Sequence, residues 1–246
     1  MLKNIAAVDI GNSRIKMLFE NEYTFSNYDE GWLYQVKNFF ESFQMKRIKI
    51  VYSSVNNQME FLFKKFLSKT RNLEFESIAQ HLERQRIIDF SNIEGIGSDR
   101  VLGLFGALNY CEPPFITIDC GTAVTINVLD VNKKCRGGAI FAGMQLQNTS
   151  LAKATAGLKE IDLDFNTQGA GKSTTQAIQI GIVTGTAGAV KEIVTKIISQ
   201  EFNNQKVPLY FTGGNSELVM KALEGWGFDM RFNDRLVIDG ILKIMN

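Results

Sequence analysis

Two stretches of this chain repeat one phrase. Ile5-Ala6-Ala7-Val8-Asp9-Ile10-Gly11-Asn12-Ser13 and Phe115-Ile116-Thr117-Ile118-Asp119-Cys120-Gly121-Thr122-Ala123 lie 110 residues apart. Each is an apolar run, then Asp-x-Gly, then a small polar residue. An apolar run of this length bounded by a turn signal predicts a buried strand. Asp-x-Gly at its end predicts a tight turn that leaves a carboxylate at the sheet edge, with Gly allowing backbone to approach whatever binds there. A fold built on this phrase is a duplicated one, and two such turns facing each other would make a phosphate and metal site.

The rest of the chain is consistent with two halves, taken as 1–114 and 115–246. A length of 246 residues allows one large domain or two, at roughly 100–200 residues per domain. A net charge of +1 gives no broad field directed at nucleic acid or membrane. Met1-Leu2-Lys3-Asn4 leads straight toward a strand, with no secretory pattern, and the longest uncharged apolar-leaning stretch, Ala177 to Val190, falls short of the about 20 residues of a membrane span. Cys111, Cys120 and Cys135 suggest neither a disulfide framework nor a zinc site. A cytoplasmic protein is expected. The single histidine, His81, lies in a polar stretch and reads as a surface residue, so any proton transfer is expected to use a carboxylate.

Both halves follow one grammar of three strands, helix, strand, helix. In the first, strands are expected at Arg14 to Phe19, Tyr23 to Phe25 and Arg47 to Tyr52, with helices at Gly31 to Phe43 and Gln58 to Ser68. In the second, strands are expected at Ala123 to Leu129, Lys134 to Phe141, Val207 to Phe211 and Phe228 to Phe232. Helices are expected at Gln145 to Ala156, Ser173 to Ser199, Ser216 to Glu224 and Leu236 to Met245. Strands interleaved with helices predict an α/β fold.

Several constellations carry chemistry. Asp9 suits Mg²⁺, while the Gly11 turn with Asn12, Ser13 and Lys16 suits phosphate oxygens; a plain structural turn is the alternative. Asp119 with Gly121, Thr122 and Thr125 repeats that offer. Gly97-Ser98-Asp99-Arg100 precedes a helix pattern, so Ser98 or Asp99 is either an N-cap or, for Asp99, a general base beside a guanidinium. Gly169 to Thr174 contains Gly-Lys-Ser, but Asn166 stands where a P-loop needs Gly; a glycine loop capped by Ser173 or Thr174 fits better. Gly181, Gly185 and Gly188 would let the long helix approach another helix closely. Gly213 and Gly214 follow a strand and suit a nucleotide contact.

Taken in order, Asp9 to Ser13, Gly97 to Arg100, Asp119 to Ala123, Gly137 to Ile140 with Gly143, Thr155 to Leu158, Gly171 to Thr174 and Thr212 to Gly214 resemble the type III pantothenate kinases of the actin, Hsp70 and sugar kinase superfamily. The resemblance implies duplicated ribonuclease H-like, actin-like ATPase domains with a cleft between them. It implies ATP-dependent phosphorylation of pantothenate to 4′-phosphopantothenate, the first step toward coenzyme A. By the same resemblance, Asp9, Gly11, Asn12, Ser13, Lys16, Gly121, Thr122, Gly213 and Gly214 contact ATP, with Asp9 on Mg²⁺. Asp119 binds a monovalent cation, K⁺ or NH₄⁺, and Asp99 is the catalytic carboxylate. Gly97, Ser98, Arg100, Phe90 and Thr174 bind pantothenate, Thr174 across a homodimer. Phe90 stands where a Tyr-bearing segment is expected, Ser13 where Thr is common, and Ala142 where Pro is usual. The alternatives are another small-molecule kinase of this fold and a catalytically silent transcriptional accessory relative.

Overall fold

The first sheet grows directly from the first copy of the repeat. The computed structural model describes residues 4–43, 47–68, 70, 72–166 and 169–246; Met1 to Lys3, the start of the N-terminal reading, lie outside them. β1 (Ile5–Ile10), β2 (Arg14–Phe19) and β3 (Glu22–Asn27) form an antiparallel meander. β4 (Ile48–Ser54) and β5 (Leu73–Ser77) add in parallel on the other side of β1, giving the order β3-β2-β1-β4-β5. One face, with Val8, Ile10, Ile15, Met17 and Ile50, buries Val36 and Phe40 of α1 (Trp32–Glu41) and Phe63 and Leu67 of α2 (Asn57–Leu67). Full burial of each such side chain stabilises by about 1.5–3 kcal/mol. α2 starts where Asn56 accepts from the Met59 N–H, an ordinary side-chain cap. α3 (Ala79–Arg84) and α4 (Ser98–Ala107) complete this stretch.

The second copy starts an equivalent sheet. β6 (Phe115–Cys120), β7 (Ala123–Leu129) and β8 (Cys135–Ala142) form the meander, and β9 (Leu209–Thr212) and β10 (Met230–Phe232) add in parallel. The order β10-β9-β6-β7-β8 matches the first sheet strand for strand, so the duplication extends to topology. α5 (Met144–Ala154), α6 (Thr174–Gln179), α7 (Gly185–Glu201) and α8 (Ser216–Ala222) accompany it.

The expected helix from Ser173 is one continuous run, Thr174–Glu201, in which Ile180–Thr184 forms a π-helical turn between α6 and α7. The run is long and apolar enough to cross a membrane by length and composition. Its Ile178, Ile182, Val183, Ala187, Val190, Val194 and Ile198 instead fill the core over the second sheet, and Lys191, Glu192 and Lys196 are exposed on the other side. It is a core helix of this unit.

The chain divides into two compact units, 1–111 with 235–246, and 112–234. The closing helix α9 (Leu236–Met245), expected in the second half, thus belongs to the first. Its Val237, Ile238 and Ile241 join Ala7, Leu18, Val51, Ile78 and Leu102 on the second face of the first sheet. Periodicity identified the helix, but nothing in its own sequence said which sheet it would cover. α4 and α9 approach at backbone distance: a Cβ on Gly106 would lie 2.8 Å from Leu236 C, and one on Gly240 would lie 2.7 Å from Leu102 C.

Candidate active site

In the first unit, strand register builds a polar row from an apolar sheet. Asp9 on β1 is paired with Lys16 on β2 and with Ser53 on β4. Residues in register on neighbouring strands share a face, so these three side chains extend the face that α4 and α9 cover. Asp9 is only 8% exposed. The turn is closed by the Gly11 N–H donating to the Arg14 carbonyl at 3.1 Å, with Asn12 and Ser13 exposed at its tip. Tyr28, which the sequence reading missed, braces it: its hydroxyl donates to the Gly11 carbonyl at 3.0 Å and its ring packs edge-on against Trp32. Burial first, and the Asp9 charge second, raise the Tyr28 pKa far above its usual value, so the phenol stays a donor.

The N-terminus of α4 is tied to the same row. The Ser53 and Ser98 hydroxyls are 2.9 Å apart, and Ser53 is 1% exposed. Ser53 is a second residue that the sequence did not reveal as part of the site. The cap position falls on Gly97, which makes no side-chain cap bond, rather than on Ser98 or Asp99. The Asp99 carboxylate accepts from the Arg100 N–H at 2.8 Å. A Cβ on Gly97 would stand 2.6 Å from Asp99 Oδ1, so Gly97 leaves the room that carboxylate occupies. Negative charge is favoured at a helix N-terminus by the unpaired amides there.

The second unit repeats the row with other residues. Asp119 on β6 is paired with Thr125 on β7 and Thr212 on β9. Its turn is one residue tighter, the Gly121 N–H donating to the Ala123 carbonyl at 3.1 Å. Two glycines border the carboxylate: a Cβ on Gly121 would be 3.3 Å from Asp119 Oδ1, and Gly213, at φ +93°, stacks on the Asp119–Cys120 peptide and against Oδ1 itself. Gly143 lies against the turn, its N–H donating to the Thr122 carbonyl at 2.9 Å. Gly214 lies in the same β9–α8 turn as Gly213. Behind the row, the Cys120 thiol is pushed up to about 12 chiefly by burial, with the Asp119 charge adding to it against a Ser216 hydrogen bond.

The remaining expected residues are less concentrated. Phe90 is half-buried in the segment before α4, its carbonyl accepting from the Ile93 N–H in a turn. Thr174 is exposed in the first turn of α6, which Ser173 caps through the Gln176 N–H. A Cβ on Gly171 would strike the Gln176–Ala177 backbone, so that loop folds onto its helix, and among the described residues no strand lies between α5 and it. His81 sits on α3 with Nε2 3.2 Å from Glu76 Oε1, in none of the polar rows. Among the described residues no group of three or more His, Cys, Asp or Glu could hold a metal ion. The open hollow of about 450 Å³ beside α2, lined by Asn57, Glu60, Phe61, Lys64 and Lys65, contains none of the expected site residues.

Comparison with known proteins gives concordant results. The family model described as type III pantothenate kinase matches residues 5–196. A type III pantothenate kinase of Sulfurihydrogenibium sp. (strain YO3AOP1) is 32% identical over 232 residues, covering 89% of this chain and 91% of that one. Another, from Persephonella marina, is 30% identical over 257 residues, covering 98% and 97%. The crystal structure of a Baf family transcriptional activator from Campylobacter jejuni aligns over 98% of this chain and 96% of its own, with a TM-score of 0.62 and 21% identity. At that identity the likeness speaks for the fold, which is the duplicated, actin-like one expected.

Proposed function

The chain belongs to the type III pantothenate kinase family, and from that premise we propose that it transfers the γ-phosphoryl group of ATP to the primary hydroxyl of pantothenate, giving 4′-phosphopantothenate on the route to coenzyme A. The observation that carries this reading is the row of Asp9, Lys16 and Ser53 joined through Ser98 to the N-terminus of α4, where Asp99 lies.

Phosphoryl transfer asks mainly for positioning and neutralisation of charge. The Gly11 turn offers backbone near the phosphates and Lys16 offers a cation beside them. A buried carboxylate, with no cluster of further acidic or imidazole ligands among the described residues, suits Mg²⁺, which keeps waters and phosphate oxygens in its shell. Mg²⁺, when bound by Asp9, supplies neutralisation of charge on the phosphoryl oxygens. Asp99 accepts the proton of the attacking hydroxyl as the new O–P bond forms and the bond to the ADP oxygen breaks. Gly97, Ser98 and Arg100 hold pantothenate beside it, Phe90 offers an apolar contact, and Thr174 reaches it from a second copy. The exposed Gly181, Gly185 and Gly188 give that copy a face it can approach closely. Thr122, Gly213 and Gly214 contact ATP, and Asp119, cradled by glycines, holds K⁺ or NH₄⁺. The same reading places the enzyme in the cytoplasm as a homodimer.

A substrate panel tests this. The purified chain with ATP, Mg²⁺ and K⁺ is offered pantothenate and a set of other primary alcohols, and products are identified by mass. Preferred turnover of another alcohol would replace pantothenate as the substrate. Nucleotide binding without turnover of any substrate would point to the silent accessory relative.

A further inference from the structure

The duplication supplies an internal comparison. Ser53 and Thr212 occupy the same place in their sheets, each in parallel register with the aspartate of its Asp-x-Gly turn. Each carries a buried hydroxyl, Ser53 at 1% and Thr212 at 2% exposure. In the first unit the hydroxyl has a partner, Ser98. In the second, Thr212 Oγ1 is buried and has no partner among the described residues. Burying a hydroxyl without a hydrogen bond is unfavourable, and native structures rarely leave one so unless something unseen completes it. Gly213, the next residue, brings its backbone close against the same aspartate: it holds φ +93°, and a side chain there would strike the Asp119 carboxylate and the Cys120 backbone.

We infer that Thr212 is a positioning ligand of this site, its Oγ1 offering the monovalent cation at Asp119 a second protein oxygen. The inference rests on the reading of Asp119 as the cation site. The chemistry agrees: alkali and ammonium ions take neutral and anionic oxygens together, a hydroxyl directs a lone pair at a cation without needing to lose its proton, and the β6–β9 register holds Asp119 and Thr212 side by side. Ser53 has no such role, because Ser98 already uses its hydroxyl.

The test is a cation titration read by thermal unfolding, on the full chain with Mg²⁺ and ADP, replacing choline chloride by KCl at constant ionic strength. A ligand that binds only the folded state stabilises it by RT ln(1 + c/Kd), where c is its free concentration, so the unfolding temperature climbs once c passes Kd. Wild type should show a rise specific to K⁺, and Asp119→Asn should lose it. Thr212→Ser, which keeps the hydroxyl, should keep the rise. Thr212→Val, an isosteric change, should shift the K⁺ midpoint upward by about tenfold or more. It should also unfold in choline at or above the wild-type temperature, because an unpartnered buried hydroxyl is gone. A Thr212→Val midpoint equal to wild type, with Asp119→Asn unresponsive, overturns the role of Thr212 and leaves that of Asp119. The absence of any K⁺-specific rise in wild type, or its persistence in Asp119→Asn, overturns the cation reading itself and the inference with it.

Discussion

Gly240→Ala puts the contact between α4 and α9 to a test in which two physical effects have opposite signs. A Cβ at 240 would lie 2.7 Å from Leu102 C and 3.0 Å from Leu102 Cα, with the Leu102 oxygen nearer still. Carbon atoms rest at about 3.5–4.0 Å, so the helices must part by roughly 1 Å. The obstacle is backbone, which has no rotamer to escape into, and the cost falls at the upper end of overpacking, roughly 3 kcal/mol. Helix propensity favours Ala over Gly by about 1 kcal/mol. The net is a destabilisation of about 2 kcal/mol, or about 4–8 °C in unfolding temperature for a chain of this size. Gly103, on α4 itself, is the control: it is buried, yet a Cβ there meets nothing within 4 Å, so Gly103→Ala should be stabilised by up to about 1 kcal/mol. Scanning calorimetry or far-UV circular dichroism reads both. If Gly240→Ala unfolds at or above the wild-type temperature, the backbone contact that assigns α9 to the first unit is wrong.

Asp99→Asn keeps an acceptor for the Arg100 N–H but cannot take a proton, so kcat measured by ADP release should fall by about 10²–10⁴ with unfolding temperature little changed; full activity would leave Asp99 a structural residue of the first turn. Cys120, its thiol raised to about 12 by burial, should resist iodoacetamide in the native protein at mildly alkaline pH and react after denaturation, as mass spectrometry of the alkylated peptides would show, while half-buried Cys111 is labelled first. The Glu76 pKa is lowered, first by the hydrogen bond from Lys49 and then by His81. Its contribution to stability is therefore present above the ordinary carboxylate range and lost as pH falls through the lowered value. Glu76→Gln should flatten the acid limb of unfolding temperature against pH, and because the pair is partly exposed the loss at neutral pH should stay under about 1 kcal/mol.

What could be read from the sequence follows the physics of each element. β1 and β6 were legible because buried strands of a mixed sheet read as continuous apolar runs and both end in the same turn. β5 was not: Leu73-Glu74-Phe75-Glu76-Ser77 is short, half charged and at a sheet edge, where charge is common. Asp9, Asp119 and the glycines between strand and helix were visible as types of residue in a pattern. Ser53 was not, and Thr212 stood out only as the start of its glycine motif, because both reach the aspartates through parallel pairing, which joins residues far apart in sequence. The Gly97 to Arg100 turn shows the same limit: local rules offered Ser98 or Asp99 as the cap, whereas the Ser98 hydroxyl is engaged by Ser53 from another strand. The two copies of Asp-x-Gly also differ where the wording did not, the first turn being one residue longer.

Identification of the product formed from ATP and pantothenate tests the central claim most directly. With Mg²⁺ and K⁺ present, mass spectrometry should find 4′-phosphopantothenate accumulating in step with ADP, and replacing K⁺ by choline should slow it. ADP formation without phosphorylated pantothenate, or no turnover in either salt, would contradict the account.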